Sequence, residues 1–118
     1  MRVSSVFVGL TVSDLATSQR WYEQFFSRAP DVLVSTEEVM WQMNESAWLF
    51  IVEEETGERG ANVLLAVEDL DDALDALDGR GIVPRDIEVI DGAGRKAYFD
   101  DPDGNEVVVA EIYASEQQ

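Results

Sequence analysis

The chain has 118 residues, 46% of them hydrophobic, and a formal net charge of −17. It contains neither cysteine nor histidine, which excludes disulfides, thiolate nucleophiles, Cys-ligated zinc and every imidazole metal ligand or general base. Only Lys96 and seven arginines offset the acids, so the charge disfavours binding to nucleic acids and anionic membranes.

The length suits one domain with its own core, so we expect a single domain over residues 1–118. The N-terminal segment "MRVSSVFVGLTV" is interrupted by Ser and Gly and is followed by Asp14. It therefore has no apolar run typical of a signal peptide or membrane span, and we expect a cytoplasmic protein. The acids are spread along the whole chain, which favours an adaptation to solubility or high salt over attraction of a cationic ligand. Both interpretations stay open.

Two segments of the chain resemble each other at a constant offset of 55 residues. They are "FVGLTVSDL" at residues 7–15 and "NVLLAVEDL" at residues 62–70. Their alternating apolar residues coincide, and so do their closing Asp-Leu pairs. Internal similarity of this kind indicates that each half of the chain is one copy of the same supersecondary unit.

In chain order, the first half begins with an alternating strand that ends near Val12. Ser13 is a candidate N-cap for a helix that extends to about Phe26. Three strand-like runs follow, with the sequences "DVLVSTEEV", "MWQMN" and "AWLFIVEEE". The first half is therefore predicted to be a βαβββ unit over about residues 3–55.

The second half begins with the strand of the second segment, and residues 56–61 are the predicted linker before it. A regular amphipathic helix starts at Leu70 and ends at Gly79 and Gly81. The strand-like runs "RDIEVID", "RKAYFD" and "NEVVVAEIY" follow. The second half is therefore a βαβββ unit over about residues 62–114, and the predicted fold class is α+β.

One helix can cover only one face of each predicted sheet, so the opposite face needs another partner. Two copies can pair as a curved mixed sheet around a shared cavity. Strand alternation assigns the two sides of the first strands. Under the helix we expect Val8, Leu10 and Val12, and toward the cavity we expect Phe7, Gly9, Thr11, Asn62, Leu64 and Ala66.

Three motifs cover nearly the whole chain: "GLTVSDLATSQRWYEQFF", "LLAVEDLDDALDAL" and "AYFDDPDGNEVVVAEIY". With the duplication, they resemble the vicinal oxygen chelate superfamily, which includes glyoxalase I, extradiol dioxygenases and bleomycin-resistance proteins. The resemblance implies the glyoxalase/bleomycin-resistance/dioxygenase fold. In the metal-dependent members it implies four metal ligands on cavity-facing strand positions.

The resemblance places those four ligands on Phe7, Phe50, Asn62 and Val108 of this sequence. Aromatic and aliphatic side chains offer no donor atom, and a single amide oxygen is weak, so we expect neither metal nor cofactor. The acids Glu54, Glu106 and Glu111 lie nearby in the sequence, but their spacing does not support a replacement site. In the Asp-Pro-Asp-Gly motif the glycine position does not suit a calcium loop, so we interpret it as a tight turn.

With these places apolar, the cavity is predicted to be a hydrophobic pocket with aromatic walls. Such a pocket suits a planar or cationic small molecule. The resemblance to the metal-free bleomycin-resistance-like branch implies a homodimer that sequesters a drug-like ligand, with no catalytic residue. The predicted pocket residues are Phe7, Trp41, Trp48, Phe50, Asn62, Leu64, Tyr98 and Val108.

Two further hypotheses stay open. One is a metal-independent isomerase or lyase that uses Glu38 or Tyr98 as a base. The other is a non-catalytic interaction module with a vestigial pocket. Two of the three tryptophans can also belong to the core or a subunit interface, and for Trp21 we favour one of those places over ligand contact.

Overall fold

The computed structural model of this protein describes residues 1–57 and 59–113. These residues form two compact units, each with one helix and one four-stranded sheet. The first unit holds Met1–Ala61 and Asp101–Asn105, and the second holds Asn62–Asp100 and the chain from Glu106. In the described ranges no helix has the length and apolar character needed to cross a membrane.

The first unit has the predicted order of elements. Strand β1 is followed by helix α1 and strands β2, β3 and β4, and the sheet order is β1-β4-β3-β2. Strands β1 and β4 are parallel, whereas the other neighbours are antiparallel. The bounds are Val6–Val12 for β1, Leu15–Phe26 for α1, Val32–Ser35 for β2, Glu38–Asn44 for β3 and Ala47–Glu53 for β4.

The second unit repeats this arrangement with the sheet order β5-β8-β7-β6, in which β5 and β8 are parallel. The prediction of an α+β fold made of two βαβββ units is confirmed. The bounds are Asn62–Ala66 for β5, Leu70–Gly79 for α2, Asp86–Ile90 for β6, Gly94–Asp100 for β7 and Glu106–Ile112 for β8.

The repeated Asp-Leu pair is the start of each helix. The carboxylate of Asp14 accepts a hydrogen bond from the backbone N–H of Thr17 at 2.9 Å, and Asp69 accepts one from Asp72 at 3.0 Å. Each aspartate thus satisfies a backbone donor that the first helical turn leaves unpaired. The prediction of Ser13 as the N-cap was wrong by one residue, because the aspartate carboxylate takes that place.

A glutamate at the end of the last strand supports each helix start from the side. Glu53 Oε1 accepts a hydrogen bond from the backbone N–H of Leu15 at 2.8 Å. Glu111 Oε1 accepts the equivalent bond from Leu70, also at 2.8 Å. Negative charge is favourable at a helix N-terminus. Each unit therefore uses a glutamate at the equivalent position to fix its helix against its sheet.

Strand alternation places the core of the first unit between its sheet and α1, as predicted. Leu10 and Val12 of β1 are 1% and 0% exposed. Tyr22 of α1 and Trp41 of β3 are both fully buried, with ring centroids 6.0 Å apart. Burial of a large apolar side chain stabilises a fold by about 1.5–3 kcal/mol, so this aromatic pair is a major part of the core.

The turn between β2 and β3 differs from its predicted place. The sequence interpretation joined "DVLVSTEEV" into one strand, whereas the structure ends β2 at Ser35 and begins β3 at Glu38. The hydroxyl of Ser35 accepts a hydrogen bond from the backbone N–H of Glu37 at 3.1 Å. This local bond stabilises the reversal, as serine often does in turns, and the hydrophobic pattern gives no sign of it.

The Asp-Pro-Asp-Gly turn belongs to the first unit and is built around the carboxylate of Asp101, which is 5% exposed. Asp101 accepts a hydrogen bond from the hydroxyl of Tyr22 at 2.7 Å. It also accepts bonds from the backbone N–H groups of Asp103 and Asn105 at 2.9 and 2.8 Å. A buried carboxylate is tolerated only when its lone pairs are satisfied, and these donors meet that condition.

Asn105 completes this network and is fully buried. Its side-chain Oδ1 accepts hydrogen bonds from the backbone N–H groups of Gly60 and Ala61, each at 3.2 Å. Its Nδ2 donates to the carbonyl oxygen of Thr11 at 2.9 Å and to Asp101 at 3.0 Å. Both ends of the Asn105 amide therefore form hydrogen bonds that position the neighbouring backbone. This structural role explains why an asparagine follows the turn.

Asp103 fixes the other side of the turn. Its carboxylate accepts hydrogen bonds from the backbone N–H of Ser13 at 3.1 Å and the hydroxyl of Ser18 at 3.3 Å. Arg59 Nε lies 3.6 Å from it. Burial alone would raise the pKa of Asp103, but the bonds from Ser13 and the charge of Arg59 outweigh burial and lower it. The carboxylate is therefore held ionised as a structural acceptor.

The Tyr22 hydroxyl gives a pH-dependent test of this network. Burial, followed by the charge of Asp101, raises the pKa of Tyr22 above its ordinary value of 10.0. A raised folded-state pKa gives stability that is present below pH 10.0 and is lost as the pH rises further. We expect Tyr22→Phe to lower the free energy of unfolding by ~1–3 kcal/mol at pH 7, because Asp101 loses a donor.

The difference between Tyr22→Phe and the unmodified protein should shrink above about pH 10, where the tyrosine of the unfolded chain ionises. Urea unfolding between pH 7 and 11 measures it. Tyr113, which is 41% exposed, supplies the matched control Tyr113→Phe, for which we expect no change at pH 7. A Tyr22→Phe difference that stays constant across this range would contradict the assignment.

Candidate functional site

The sheet face opposite α1 carries an aromatic pair on neighbouring parallel strands. Phe7 of β1 and Trp48 of β4 are direct register partners. Their rings are stacked, with centroids 5.9 Å apart and planes inclined by 11°. Phe7 is 53% exposed and Trp48 is half-buried, so a flat aromatic surface is presented away from the core.

Phe50 extends this surface because Gly9 leaves room for its ring. Gly9 and Phe50 are register partners on the same two strands. A Cβ atom at Gly9 would lie 2.2 Å from Cζ of Phe50, so only glycine permits the ring to lie over the backbone of β1. A glycine inside a strand often marks the close approach of another group to the backbone, so Gly9 is the feature of the sequence that indicates this contact. We call Phe7, Gly9, Trp48 and Phe50 the aromatic face.

Polar groups border the aromatic face along β3. Gln42, the register partner of Trp48, is exposed, and its backbone N–H donates to the carboxylate of Asp31 at 2.7 Å. Asp31 also pairs with Arg28 at 2.5 Å. The hydrogen bond from Arg28 and the one from the Gln42 backbone lower the pKa of Asp31. The edge of the face therefore carries the ion pair of Asp31 with Arg28 and the exposed amide side chain of Gln42.

The face opposite α2 in the second unit is aliphatic where the first is aromatic. Leu64 of β5 pairs with Val108 of β8, and Asn62 pairs with Glu106. Leu64 is 46% exposed, and Val108 is 6% exposed. Tyr98 of β7 is the next register partner of Val108. Of the predicted pocket residues, Asn62, Leu64, Tyr98 and Val108 thus share one face of this unit.

The neighbours of Tyr98 favour the protonated phenol, which cannot act as a general base. Its hydroxyl donates to the carboxylate of Glu88 at 2.6 Å, and this bond raises the pKa of Tyr98. The guanidinium of Arg85 lies 5.7 Å from the ring centroid and pairs with Asp100 and Glu106 at 2.9 and 2.6 Å. A phenol hydrogen-bonded to a carboxylate stays protonated at neutral pH, which removes Tyr98 as a candidate general base.

The strand registers show whether the places that the resemblance assigns to the two last strands are equivalent. In the first unit Phe7 faces Trp48 and Gly9 faces Phe50; in the second Asn62 faces Glu106 and Leu64 faces Val108. With Phe7 equivalent to Asn62, Phe50 is therefore equivalent to Val108. Two phenyl rings, an isopropyl group and one amide do not fit a divalent cation, because only the amide oxygen is a donor.

The acids near these places have structural partners. Glu106 pairs with Arg85, while Glu111 holds the N-terminus of α2 and pairs with Arg95 at 3.0 Å. Within residues 1–57 and 59–113, no group of three or more Asp or Glu side chains converges in a way that could hold a metal ion. The acids in the described part of the chain therefore form no cluster that could stand in for the family ligands.

Trp41 requires a correction. It was predicted to line the pocket, but it is fully buried on the helix side of the first sheet. Its ring packs on Tyr22 and on Phe26, and its indole N–H donates to the carbonyl oxygen of Arg28 at 3.1 Å. Trp41 is an odd-numbered residue of β3 and so shares the face of Val39, which strand alternation alone indicates.

The duplicated βαβββ arrangement, with the first and last strands of each unit parallel, is the architecture of the vicinal oxygen chelate type. Residues 4–109 match the sequence model of the Glyoxalase/Bleomycin resistance protein/Dioxygenase superfamily. The chain belongs to this superfamily. No curated protein sequence matches the chain.

Solved structures agree with this assignment. A glyoxalase / bleomycin resistance protein from Catenulispora acidiphila DSM 44928 is 31% identical over 92% of this chain and 98% of that chain, with a TM-score of 0.87. A lactoylglutathione lyase from Agrobacterium tumefaciens is 15% identical over 94% of this chain and 95% of its own, with a TM-score of 0.78. An oxidase, ChaP-H2, is 18% identical over 100% of both chains, with a TM-score of 0.75. The last two share the fold alone.

The packing of Phe50 over Gly9 leads to a prediction about stability. We expect Gly9→Ala to lower the free energy of unfolding by ~1–3 kcal/mol, because the added methyl group forces the ring out of place. In a Phe50→Ala background the same change should cost far less, since the ring is gone. Urea unfolding of both single variants and the double variant gives the interaction energy.

Gly79 supplies the matched control, because a Cβ there meets nothing within 4 Å. Gly79→Ala should leave stability unchanged or raise it slightly, since alanine favours the helix. Equal penalties for Gly9→Ala with and without the Phe50 ring would show that the contact does not shape this face.

Proposed function

We propose that this protein is a metal-free small-molecule-binding protein of the bleomycin-resistance type, which sequesters a planar aromatic ligand, preferably a cationic one. The aromatic face of the first unit carries this proposal. Phe7, Trp48 and Phe50 stand where the superfamily places metal ligands and their neighbours, so stacking takes the place of coordination. Ligand binding does not require a catalytic residue, and we assign none.

The geometry of Phe7 and Trp48 supports a flat ligand. Two nearly parallel rings, with one of them 53% exposed, leave a π-surface on which a third ring can lie. Stacking of this kind contributes ~0.5–1.5 kcal/mol per aromatic pair beyond the burial of surface. Because the aromatic residues lie on adjacent strands rather than on loops, the surface is set before the ligand binds, which lowers the entropic cost of binding.

Charge supports the preference for a cation. The net charge of −17 raises the local concentration of cations, and a cation over an aromatic ring gains a further ~0.5–2 kcal/mol. At the border of the aromatic face the Asp31 carboxylate is offset by Arg28, so the negative potential comes from the other acids of the chain. A cationic planar ligand would therefore meet stacking and negative potential together.

The absence of a metal is part of the proposal and rests on donor chemistry. Phe7, Phe50 and Val108 have no donor atom, and Asn62 offers one neutral oxygen. The superfamily's metal chemistry would need ligands that this chain does not supply at those positions. We therefore derive no reaction step through a metal.

The enzyme hypothesis has less support than the binding hypothesis. The bond to Glu88 raises the pKa of Tyr98 further above neutral pH, which disfavours this phenol as a base. Glu38 lies on β3 as the register partner of Val52, and no contact singles it out as a base. Turnover of a bound ligand that is lost in Glu38→Gln would overturn this preference.

We also propose that the protein acts as a cytoplasmic homodimer. The lack of cysteine suits a reducing compartment but does not require one. Leu33 of β2 and Val89 of β6 are 71% and 67% exposed, and each lies on a strand at the edge of its sheet. Exposed apolar side chains on sheet edges favour association, so a second copy is a suitable cover for them.

Calorimetric titration with a planar cation tests the proposal, using N-methylquinolinium and the cationic glycopeptide bleomycin as ligands. We expect saturable binding that Trp48→Ala weakens about tenfold, because one stacking contact and its cation attraction are lost. Trp48→Phe keeps a ring and should lose much less. Trp21→Phe, on α1 and away from this face, should bind like the unmodified protein.

Salt gives an independent check, because attraction by the acidic surface is screened as ionic strength rises. Binding of N-methylquinolinium should weaken between low and moderate salt, whereas neutral quinoline should change little. Failure of both cations to bind, or binding that Trp48→Ala leaves intact, would contradict the proposal and favour an interaction module with a vestigial pocket.

A further inference from the structure

The second unit contains a cavity of about 280 Å³ that the proposed function does not use. It lies at the end of the sheet where β7 begins and β8 ends, on the face that carries Leu64. Its lining is predominantly apolar, and Lys96 is the charged residue of that face that lines it. The residues of the sheet face that line it are Leu64, Ile90, Gly94, Lys96, Ala110 and Ile112.

The cavity exists because small residues stand between large ones. Gly94 is the register partner of both Ile90 and Ile112, so two isoleucines flank a position without a side chain. Gly94 has a φ of 156°, and a Cβ there would lie 2.1 Å from the carbonyl oxygen of Glu111. The backbone therefore excludes any larger residue at this position, and the depression is a fixed feature of the sheet.

Lys96 is the one lysine of the chain and is half-buried at this cavity. Its register partners are Ala110 on one side and Glu88 on the other. Glu88 already accepts the hydroxyl of Tyr98 at 2.6 Å. Among residues 1–57 and 59–113, Lys96 forms no salt bridge, although the chain has 25 acids.

The other charges at the cavity are already paired with each other. Arg95 pairs with Asp71 and with Glu111, at 3.0 Å in each case. Glu111 also accepts the backbone N–H of Leu70. Lys96 is thus the charge at the cavity that is left for a ligand.

We propose that this cavity binds a small apolar carboxylate, with the carboxylate on the ammonium group of Lys96 and the apolar part over Gly94 and Ala110. An ammonium group is only a hydrogen-bond donor, so the polar end of the ligand must accept. The apolar lining selects a hydrocarbon or a single ring for the remainder. The volume is just under the ~300–1,000 Å³ of common small-molecule sites, which limits the ligand to a compact acid.

Every residue that lines this cavity belongs to the second unit, whereas the aromatic face belongs to the first. The acidic surface of the protein opposes the approach of an anion at long range. A contact inside a partly buried cavity is screened less than this repulsion. Added salt should therefore leave the affinity for a carboxylate unchanged, whereas it should weaken the binding of a cation at the aromatic face.

Titration with 3-phenylpropionate, followed in amide correlation spectra, tests the proposal. We expect the amides of Gly94, Lys96 and Ala110 to shift with a saturable dependence on concentration, and those of Phe7 and Trp48 to stay unchanged. The neutral 3-phenylpropanamide has the same ring and chain and should bind about tenfold more weakly, because it lacks the charge-assisted hydrogen bond.

Two variants separate charge from folding. Lys96→Met keeps the length of the side chain and should bring the affinity for the carboxylate down to that for the amide. Lys96→Arg keeps the charge and should retain most of the preference. The spectra themselves report whether each variant is folded.

Three outcomes would overturn the proposal. They are equal affinity for 3-phenylpropionate and its amide, shifts confined to the aromatic face, and no shifts up to the solubility of the acid. None of these outcomes measures cation binding at Trp48, so the two proposals are tested by separate titrations.

Discussion

Each sheet of this protein has one helix to cover it, and this constraint determines how the residues of every strand are used. Side chains alternate between the two faces, so one set packs under the helix and the other is left for a different purpose. In the first unit the second set forms the aromatic face, with Phe50 over Gly9. In the second unit it forms an aliphatic surface with a cavity at Gly94. The positions that hold metal ligands in metal-dependent members of the superfamily belong to these strand faces opposite the helices. The residue types at those positions determine which ligands the protein can bind.

The acids of the chain divide into structural and surface roles. Asp14 and Asp69 cap the helices, Glu53 and Glu111 support them, and Asp101 organises the turn. The stretch "FDDPDGNEVVVAE" suggests a metal site, yet its buried carboxylate is satisfied by a tyrosine and two backbone donors. Its conspicuous residues hold the fold, and the position where the family has a metal-binding carboxylate is Val108.

The sequence allowed the two βαβββ units to be predicted, because alternation and the repeated Asp-Leu pair are local signals. The register partners of Gly9 and Leu64, which are Phe50 and Val108, also follow the predicted equivalence of the strands. Trp41 was misplaced because an aromatic residue on a middle strand was expected to reach the mouth of the cavity, although its position in β3 indicates the core. The cavity at Gly94 was not predictable, since it depends on the backbone of the neighbouring strand and on which charges pair. Likewise, only the contacts show that the hydrogen bond to Glu88 raises the pKa of Tyr98.

The central claim is that aromatic and aliphatic side chains have replaced metal coordination at the superfamily's ligand places. Metal analysis by mass spectrometry tests it most directly, on protein purified without chelator and again after incubation with zinc, nickel, iron or manganese followed by desalting. We expect no stoichiometric metal in either sample, because Phe7, Phe50 and Val108 lack donor atoms and Asn62 alone cannot hold a divalent cation. One equivalent of any of these metals per chain would contradict the claim.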